Sequence, residues 1–382
     1  MEKFSAFRDP GTGIHPFLTP VSPSGNELLR KALLPFGIVI GVARVLVVIA
    51  VGLPYFLLDS ALSPLLVVPP IRIVKRLIAT VFARLILFTL GFWWIPVEVV
   101  NKRRGRTQVD ESWSPGAGDI IVSNWVSWVE LLWLAFRFDP VFVLPVTEPL
   151  QLNSDTSSTP TVQKLGRRTG TGSAAISNSA TFASKTRQPT PRAQVLGFKV
   201  VSIWYILAHT GRVPVRAFGD RERYESLEEV RKRALGPVVV FPECTTSNGR
   251  GLLRFADVFK HERNVPVKGY KIFLMCIRYD PPTTFVPSIS HSIPSNMFNP
   301  SPHLFTLAST FSPLAASIRL LAPSESPSSA TFVLSNVLPN GSEGADVVTE
   351  VSATLIAQVG KTKRTGLGWE DKASFLEFYG RK

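Results

Sequence analysis

The stretch DIIVSNWVSWVE, residues 119–130, runs an apolar segment into a tip that carries Asn124, Ser127 and Glu130 between two indoles. A carboxylate takes up a proton usefully near neutral pH only if its pKa is raised, and burial beside Trp125 and Trp128 would raise that of Glu130. A second group of chemistry-bearing residues lies in VVVFPECTTSNGRGLLRF, residues 238–255. There an apolar run ends in Glu243, and a turn with Thr245, Thr246 and Ser247 leads to Arg250 and Arg254. Backbone N–H groups, hydroxyls and guanidinium groups in such a turn suit a phosphate. A third is HTGRVPVRAFGD, residues 209–220. Alternation places Arg212, Pro214 and Arg216 on one face of a strand and Val213 and Val215 on the other, so Arg216 at a strand end can fork onto a phosphate. Each group also has a plain structural reading: a strand-to-helix junction, or an arginine solvated at a sheet edge.

The elements that must position these groups follow from the pattern. DIIVS, PVFVLP, VVSIWYIL, GRVPVRAF, GPVVVFPE and KIFLMCIRY are short apolar runs bounded by Gly, Pro or charge, and they read as buried strands. WVELLWLAFRF and RERYESLEEVRKRAL read as helices between them. The fold class is therefore α/β. Residues 151–192 interrupt it with 15 Ser/Thr, six Lys/Arg and one acid, a composition that cannot bury enough apolar surface to offset its ordering entropy. They are expected to be a disordered insert. Residues 323–346 read as loop and VTEVSATLIAQVGKTKR as a surface helix.

Ahead of the α/β region stand membrane-like segments. Residues 33–58 hold 26 residues with a single charge, Arg44, which is enough to span a bilayer or to form a re-entrant hairpin. In residues 71–100, Arg72, Lys75, Arg76, Thr80 and Arg84 recur at three or four and share a helical face, as on a helix at a membrane surface. Trp93 and Trp94 fit an interfacial belt, and KRRGR at 102–106 suits anionic headgroups. Residues 1–30, rich in Pro and Gly, read as an extended, exposed arm. The organisation expected is thus arm 1–30, membrane-associated helices and basic cluster 31–106, catalytic domain 107–322, and C-terminal loop and helix 323–382.

The chain has 382 residues, and its 42 Lys+Arg against 28 Asp+Glu leave a formal net charge of +14. A basic chain attracts phosphates. With 45% hydrophobic residues and no zinc-finger spacing or RNA-binding motif, the expected partner is a lipid membrane, not nucleic acid. No metal site is expected. Cys244 and Cys276 are too few for a disulfide scaffold and fit a cytosol-facing environment.

In order and content the chain resembles the glycerolipid acyltransferases that acylate lysophosphatidic acid. NWVSWVE matches their N-H-x-x-x-x-D motif, with Asn124 at the Asn, Trp125 at the His and Glu130 at the Asp. GRVPVR supplies Gly211 and Arg216 for the second motif. FPECTTS is similar to F-P-E-G-T-R-S, with Cys244 at the Gly and Thr246 at the Arg. KIFLMCIRYDPP is similar to the fourth. The resemblance covers roughly residues 119–290. MEKFSAFRDPGTGIHPFLTP and SNGRGLLRF look like the fungal branch linked to lipid droplets and vacuolar sorting.

The resemblance implies a glycerolipid acyltransferase-like αβ domain with a mixed sheet, preceded by N-terminal membrane-anchoring helices. It implies transfer of an acyl group from acyl-CoA, a co-substrate rather than a bound cofactor, to 1-acyl-sn-glycerol-3-phosphate, giving phosphatidic acid for triacylglycerol synthesis. The place implied is the endoplasmic reticulum membrane and lipid droplet, with the domain facing the cytosol. Arg216, with Glu243, Thr245, Thr246, Ser247 and Arg250, would hold the substrate phosphate, and Asn124 and Glu130 would serve catalysis. The family's general base is a His. Trp125 has no basic nitrogen. Three readings follow: Glu130 is the base, a histidine from elsewhere such as His209 or His261 substitutes, or the protein binds or sorts lipid without turning it over.

Overall fold

The computed structural model describes residues 2–25, 27–65, 68–101, 111–148, 190–216, 225–260, 262, 264–338 and 346–380. The basic cluster at 102–106, His261 and all but the last three residues of the 151–192 insert lie outside the described residues.

Strands β1 (Val97–Val100), β2 (Ile120–Ser123), β3 (Val141–Thr147), β4 (Val195–Val201), β5 (Val215–Arg216), β6 (Val238–Val240), β8 (Ile272–Tyr279) and β9 (Ala316–Leu321) form one sheet. Its order is β1-β9-β8-β2-β6-β3-β4, with β5 also paired to β3. Strands β8, β2, β6, β3 and β5 run parallel, while β4 is antiparallel to β3, and β9 is antiparallel to β8 but parallel to β1. The sheet is mixed, and its central strands are near-continuous runs of Val, Ile and Phe because both faces are covered. A small parallel pair joins β7 (Gly251–Leu252) to β10 (Lys363–Arg364).

Helices α1 (Glu27–Leu62), α2 (Pro69–Leu90), α3 (Val129–Phe138), α4 (Ile203–His209) and α6 (Ser301–Ala308) lie over one face, where Ile121, Val239, Phe273 and Met275 point. Helices α5 (Leu227–Arg233) and α7 (Val347–Gly360) cover the other, over Ile120, Val122, Val240 and Leu274, and α8 (Trp369–Gly380) adds Trp369 there.

Several expectations change. VVSIWYIL is not one strand: β4 stops at Val201, and Ser202 caps α4 by accepting the Tyr205 N–H, as a Ser at that position does. α7 is not a surface helix, since Val348, Val351, Leu355, Ile356 and Val359 are buried against the sheet. The C-terminal region is thus part of the core, and α8, not foreseen, carries buried Lys372 and Phe375. The N-terminal arm is exposed over much of its length, Val21 among its residues, but it is anchored to the domain. Phe7 and Phe17 pack on Phe375, Asp9 accepts the Gly366 N–H, and Asn248 Nδ2 donates to the carbonyls of His15 and Leu18. Its Phe residues were worth more to the core than its Pro and Gly were to the solvent.

Among the described residues one helix segment, Lys31–Leu65, is long and apolar enough to cross a membrane. Helix α1 runs unbroken through Pro35 and Pro54. It does not stand away from the domain. Arg44 Nη1 donates to the carbonyls of Thr310 at 2.7 Å and Ala308 at 3.2 Å, at the end of α6. Tyr55 is 1% exposed against Trp204 and Phe82, and Asp59 pairs with Lys75 of α2. Those two carbonyls give the one charge within the apolar run of α1 hydrogen-bonding partners inside the protein. The outward faces of α1 (Val39, Val42, Leu46, Ile49, Leu53) and α2 (Val74, Leu77, Val81, Leu85, Phe88) stay exposed, as do Trp93 and Trp94.

Candidate active site

Strands β2, β6 and β8 are parallel, so the loops at their carboxyl ends meet on one edge of the sheet, where open α/β sheets bind ligands. All three motif regions are there. Asn124 fastens β2 to β8: its Nδ2 donates to the Ile277 carbonyl at 2.9 Å and its Oδ1 accepts the Ile277 N–H at 2.8 Å. Both ends of the amide are therefore engaged by backbone, and Asn124 positions the loop that follows.

Trp125 is fully buried and stacks on Phe241 with ring centroids 4.9 Å apart. Its side chain fills core, so the position at which the resembling family keeps a His faces away from solvent here. Its backbone is clamped instead. The Trp125 N–H donates to Glu243 Oε1 at 2.8 Å and its carbonyl accepts the Ser247 N–H at 2.9 Å. Glu243 Oε2 accepts the Leu253 N–H at 3.0 Å. Glu243 thus ties the first loop to the third.

Glu130, in the first turn of α3 and 1% exposed, reaches back to the same loop. Its Oε1 accepts the Val126 N–H, and its Oε2 accepts the Tyr279 hydroxyl at 2.7 Å. Burial pushes its pKa up to about 8, against the opposing pull of the Tyr279 and backbone donors. Burial also raises Glu243 to about 8, and the charge of Glu130 adds to the rise. Lys372 is buried beside them and donates to the Thr246 carbonyl at 2.7 Å; burial holds its pKa well below the usual lysine range. Ionising either carboxyl is therefore costly, and ionising both more so.

The hydroxyls of the third-motif turn are not turned toward a ligand. Thr245 Oγ1 donates to the Arg212 carbonyl at 2.7 Å, Thr246 Oγ1 to the His291 carbonyl at 2.6 Å, and Ser247 Oγ accepts the Gly249 N–H at 3.2 Å. All three residues are buried. The backbone at Cys244 has φ 59°, the left-handed conformation that a glycine adopts most readily. Arg254 pairs with Glu370 at 3.2 Å and donates to the Thr190 carbonyl.

Of that group Arg250 lines an open cleft, about 370 Å³, together with Gly249, Arg278, Tyr279, Asp280, Ser288, Ser290, Lys361 and Lys363, and with Ile14 and Pro20 of the N-terminal arm. Tyr279 therefore links the cleft wall to Glu130. Arg216, on β5, pairs through its backbone with Thr147 of β3, on the same edge of the sheet; its side chain lies outside the described residues. A larger hollow of about 440 Å³ beside β4 and α5 is lined by none of the motif residues.

His209 closes α4, half-buried, its Nε2 on the Val213 carbonyl at 2.9 Å and its ring stacked on Tyr205. Among the described residues it makes no bond to Glu130 or to the cleft. Two other histidines, unnoticed in the sequence, stand closer. The His291 N–H donates to the Val126 carbonyl at 2.9 Å, and its ring stacks on His303 at 4.8 Å. His303 Nδ1 accepts the Trp128 indole N–H at 2.9 Å, so its Nε2 carries the proton toward the Ser288 carbonyl. Asn299 donates from Nδ2 to the carbonyls of Ala208 and Thr210, which turns its Oδ1 to His291 Nε2 at 2.7 Å. That nitrogen of His291 is therefore the protonated one. Burial, with His303 adding, pushes the His291 pKa down to about 4. No spacing rule links residues 291 and 303 to a motif at 124; packing of the 280–300 segment and the start of α6 onto the loop brings them there.

A chain of Schizosaccharomyces pombe named "Putative lysophosphatidic acid:oleoyl-CoA acyltransferase" is 26% identical over 388 residues, covering 100% of this chain and 99% of its own length. No family model matches the chain, and no solved structure matches it.

Proposed function

We propose that the protein is a membrane-bound acyltransferase that moves an acyl group from acyl-CoA to the sn-2 hydroxyl of 1-acyl-sn-glycerol-3-phosphate, giving phosphatidic acid. The observation that carries this reading is the buried Glu130 bonded at 2.7 Å to Tyr279, a residue that also lines a basic cleft at the carboxyl edge of the parallel strands. Full-length similarity to a chain bearing that activity in its name supports it.

On this reading Glu130 is the proton acceptor, and the Tyr279 hydroxyl carries the proton to it from the attacking alcohol. As the new C–O bond forms, the alcohol's proton passes to Tyr279 and that of Tyr279 to Glu130 Oε2. As the C–S bond breaks, the leaving thiolate takes a proton back along the same path. A carboxyl with a pKa of about 8 suits such a role, since a base poised near operating pH is the effective one. Asn124 and Glu243 position the loop, and Arg216 is the proposed holder of the acceptor's phosphate. The exposed apolar faces of α1 and α2 bed the chain in the membrane. Its proposed place is the endoplasmic reticulum and lipid droplet, with the catalytic domain facing the cytosol and its product entering glycerolipid and triacylglycerol synthesis.

One observation favours a second reading. Trp125 fills with a buried indole the position where the resembling family keeps its His, as in a relative that retained lipid binding or a sorting role and lost turnover. Release of free CoA thiol by the purified protein separates the two. Release that depends on added lysophosphatidate supports the enzyme. Lysophosphatidate binding with no thiol release supports the binder.

A further inference from the structure

The cleft holds more positive charge than one phosphate requires. Arg250, Arg278, Lys361 and Lys363 line it against a single acid, Asp280. Among the described residues none of the four is in an ion pair, whereas neighbouring cations are: Arg364 meets Glu350 at 2.5 Å and Arg254 meets Glu370 at 3.2 Å. Gathering unpaired like charges is unfavourable unless an anion completes the set. Lys361 sits at the C-cap of α7, where the helix dipole alone would favour it. That explanation does not reach the others. Lys363 is set beside the third-motif turn by the β7–β10 pair, which registers it against Gly251, the residue after Arg250. Arg278 is the penultimate residue of β8, next to Tyr279.

We propose that this cleft is the subsite for the phosphate end of the acyl donor, the diphosphate and 3′-phosphate of CoA. The proposal rests on the acyltransferase reading. A phosphomonoester carries a charge of about −1.5 to −2, which one or two arginines satisfy, while the CoA end carries that and a diphosphate besides. Its volume of about 370 Å³ lies within the ordinary range for ligand sites. Position along the sheet agrees. The cleft is at the end of β8, Glu130 follows β2, and Arg216 is on β5, which joins the edge of β3 that faces β6. Donor and acceptor phosphates then lie on opposite sides of the proton acceptor. Lys361 and Lys363 come from beyond the stretch that carries the family motifs, so nothing in those motifs points to them.

The test is direct binding to the full-length protein in detergent, by calorimetry, of CoA, 3′-dephospho-CoA and a short-chain lysophosphatidate, alongside the KM for each substrate. Wild type should bind CoA more tightly than 3′-dephospho-CoA. The variants Arg278→Gln and Lys361→Gln/Lys363→Gln, checked for an unchanged unfolding midpoint, should weaken CoA binding and raise the KM for acyl-CoA on the order of tenfold. Lysophosphatidate affinity should hold. If the variants lose lysophosphatidate and keep CoA, the cleft is the acceptor's phosphate site and the proposal is overturned; if both affinities are unchanged, it is overturned outright. Wild type that binds CoA through these residues yet transfers no acyl group would refute the enzyme reading and leave the subsite standing.

Discussion

Glu130 is placed where a proton acceptor is both useful and costly. Replacing it with Gln keeps the shape and the Val126 and Tyr279 contacts but removes the acceptor, so turnover should fall by about 10²–10⁴-fold with the KM for lysophosphatidate little changed. Tyr279→Phe should fall in the same direction, while His209→Ala, bonded away at Val213, should stay close to wild type. Initial rates at saturating substrate check all three. The raised pKa fixes a sign as well. The active, ionised form accumulates as pH rises, so wild-type kcat should climb toward and through about pH 8. For stability the slope is opposite. Between the ordinary value of 4.5 and about 8, folded Glu130 and Glu243 keep protons that the unfolded chain gives up. Stability is then full below that window and lost as pH rises through it. Unfolding midpoints measured from pH 5 to 9 should fall, and Glu243→Gln should flatten the fall. The sequence made Asn124, Glu130 and Glu243 visible because motif spacing survives in them. It could not reveal that Thr245 and Thr246 point at carbonyls, nor that Tyr279, His291 and Asn299 converge on the loop, because those contacts exist only once distant segments pack.

One anchor of helix α1 is a residue that hydropathy alone counts against it. Arg44 joins the middle of the helix to the end of α6 through two carbonyls. Arg44→Leu should leave both without that partner and cost about 1–3 kcal/mol, read as a lower unfolding midpoint in detergent and faster amide exchange in residues 308–311. Because α1 and α2 leave apolar faces exposed, the chain should remain with membranes under alkaline carbonate, which strips proteins held by charge alone; recovery in the supernatant would refute embedding. The strands of the central sheet were readable as apolar runs bounded by Gly and Pro. Strand β1 was hidden at the end of an apolar run that reads as helix, and α8 because its hydrophobic pattern is weak. The N-terminal arm was legible in part: Val21, Pro23 and Ser24 are exposed as its Pro-rich composition suggests, while Phe7 and Phe17 anchor it to the core.

Across the whole molecule, three surfaces meet. The flank of α1 and α2 is apolar and exposed, the carboxyl edge of the sheet carries Glu130, and the cleft beside it gathers cations within a chain of formal charge +14. On the proposed reading, that arrangement would let a lipid acceptor stay at the membrane while a soluble, anionic donor arrives from the aqueous side. The account stands on the claim that this edge performs Glu130-dependent acyl transfer. The measurement that tests it most directly is product formation by the purified full-length protein in lipid vesicles, with labelled acyl-CoA and lysophosphatidate, for wild type and Glu130→Gln side by side. The account predicts labelled phosphatidic acid from wild type, and a loss of about 10²–10⁴-fold in Glu130→Gln with lysophosphatidate binding intact. Labelled product at equal rates from both proteins, or none from a folded wild type that binds lysophosphatidate, would contradict it.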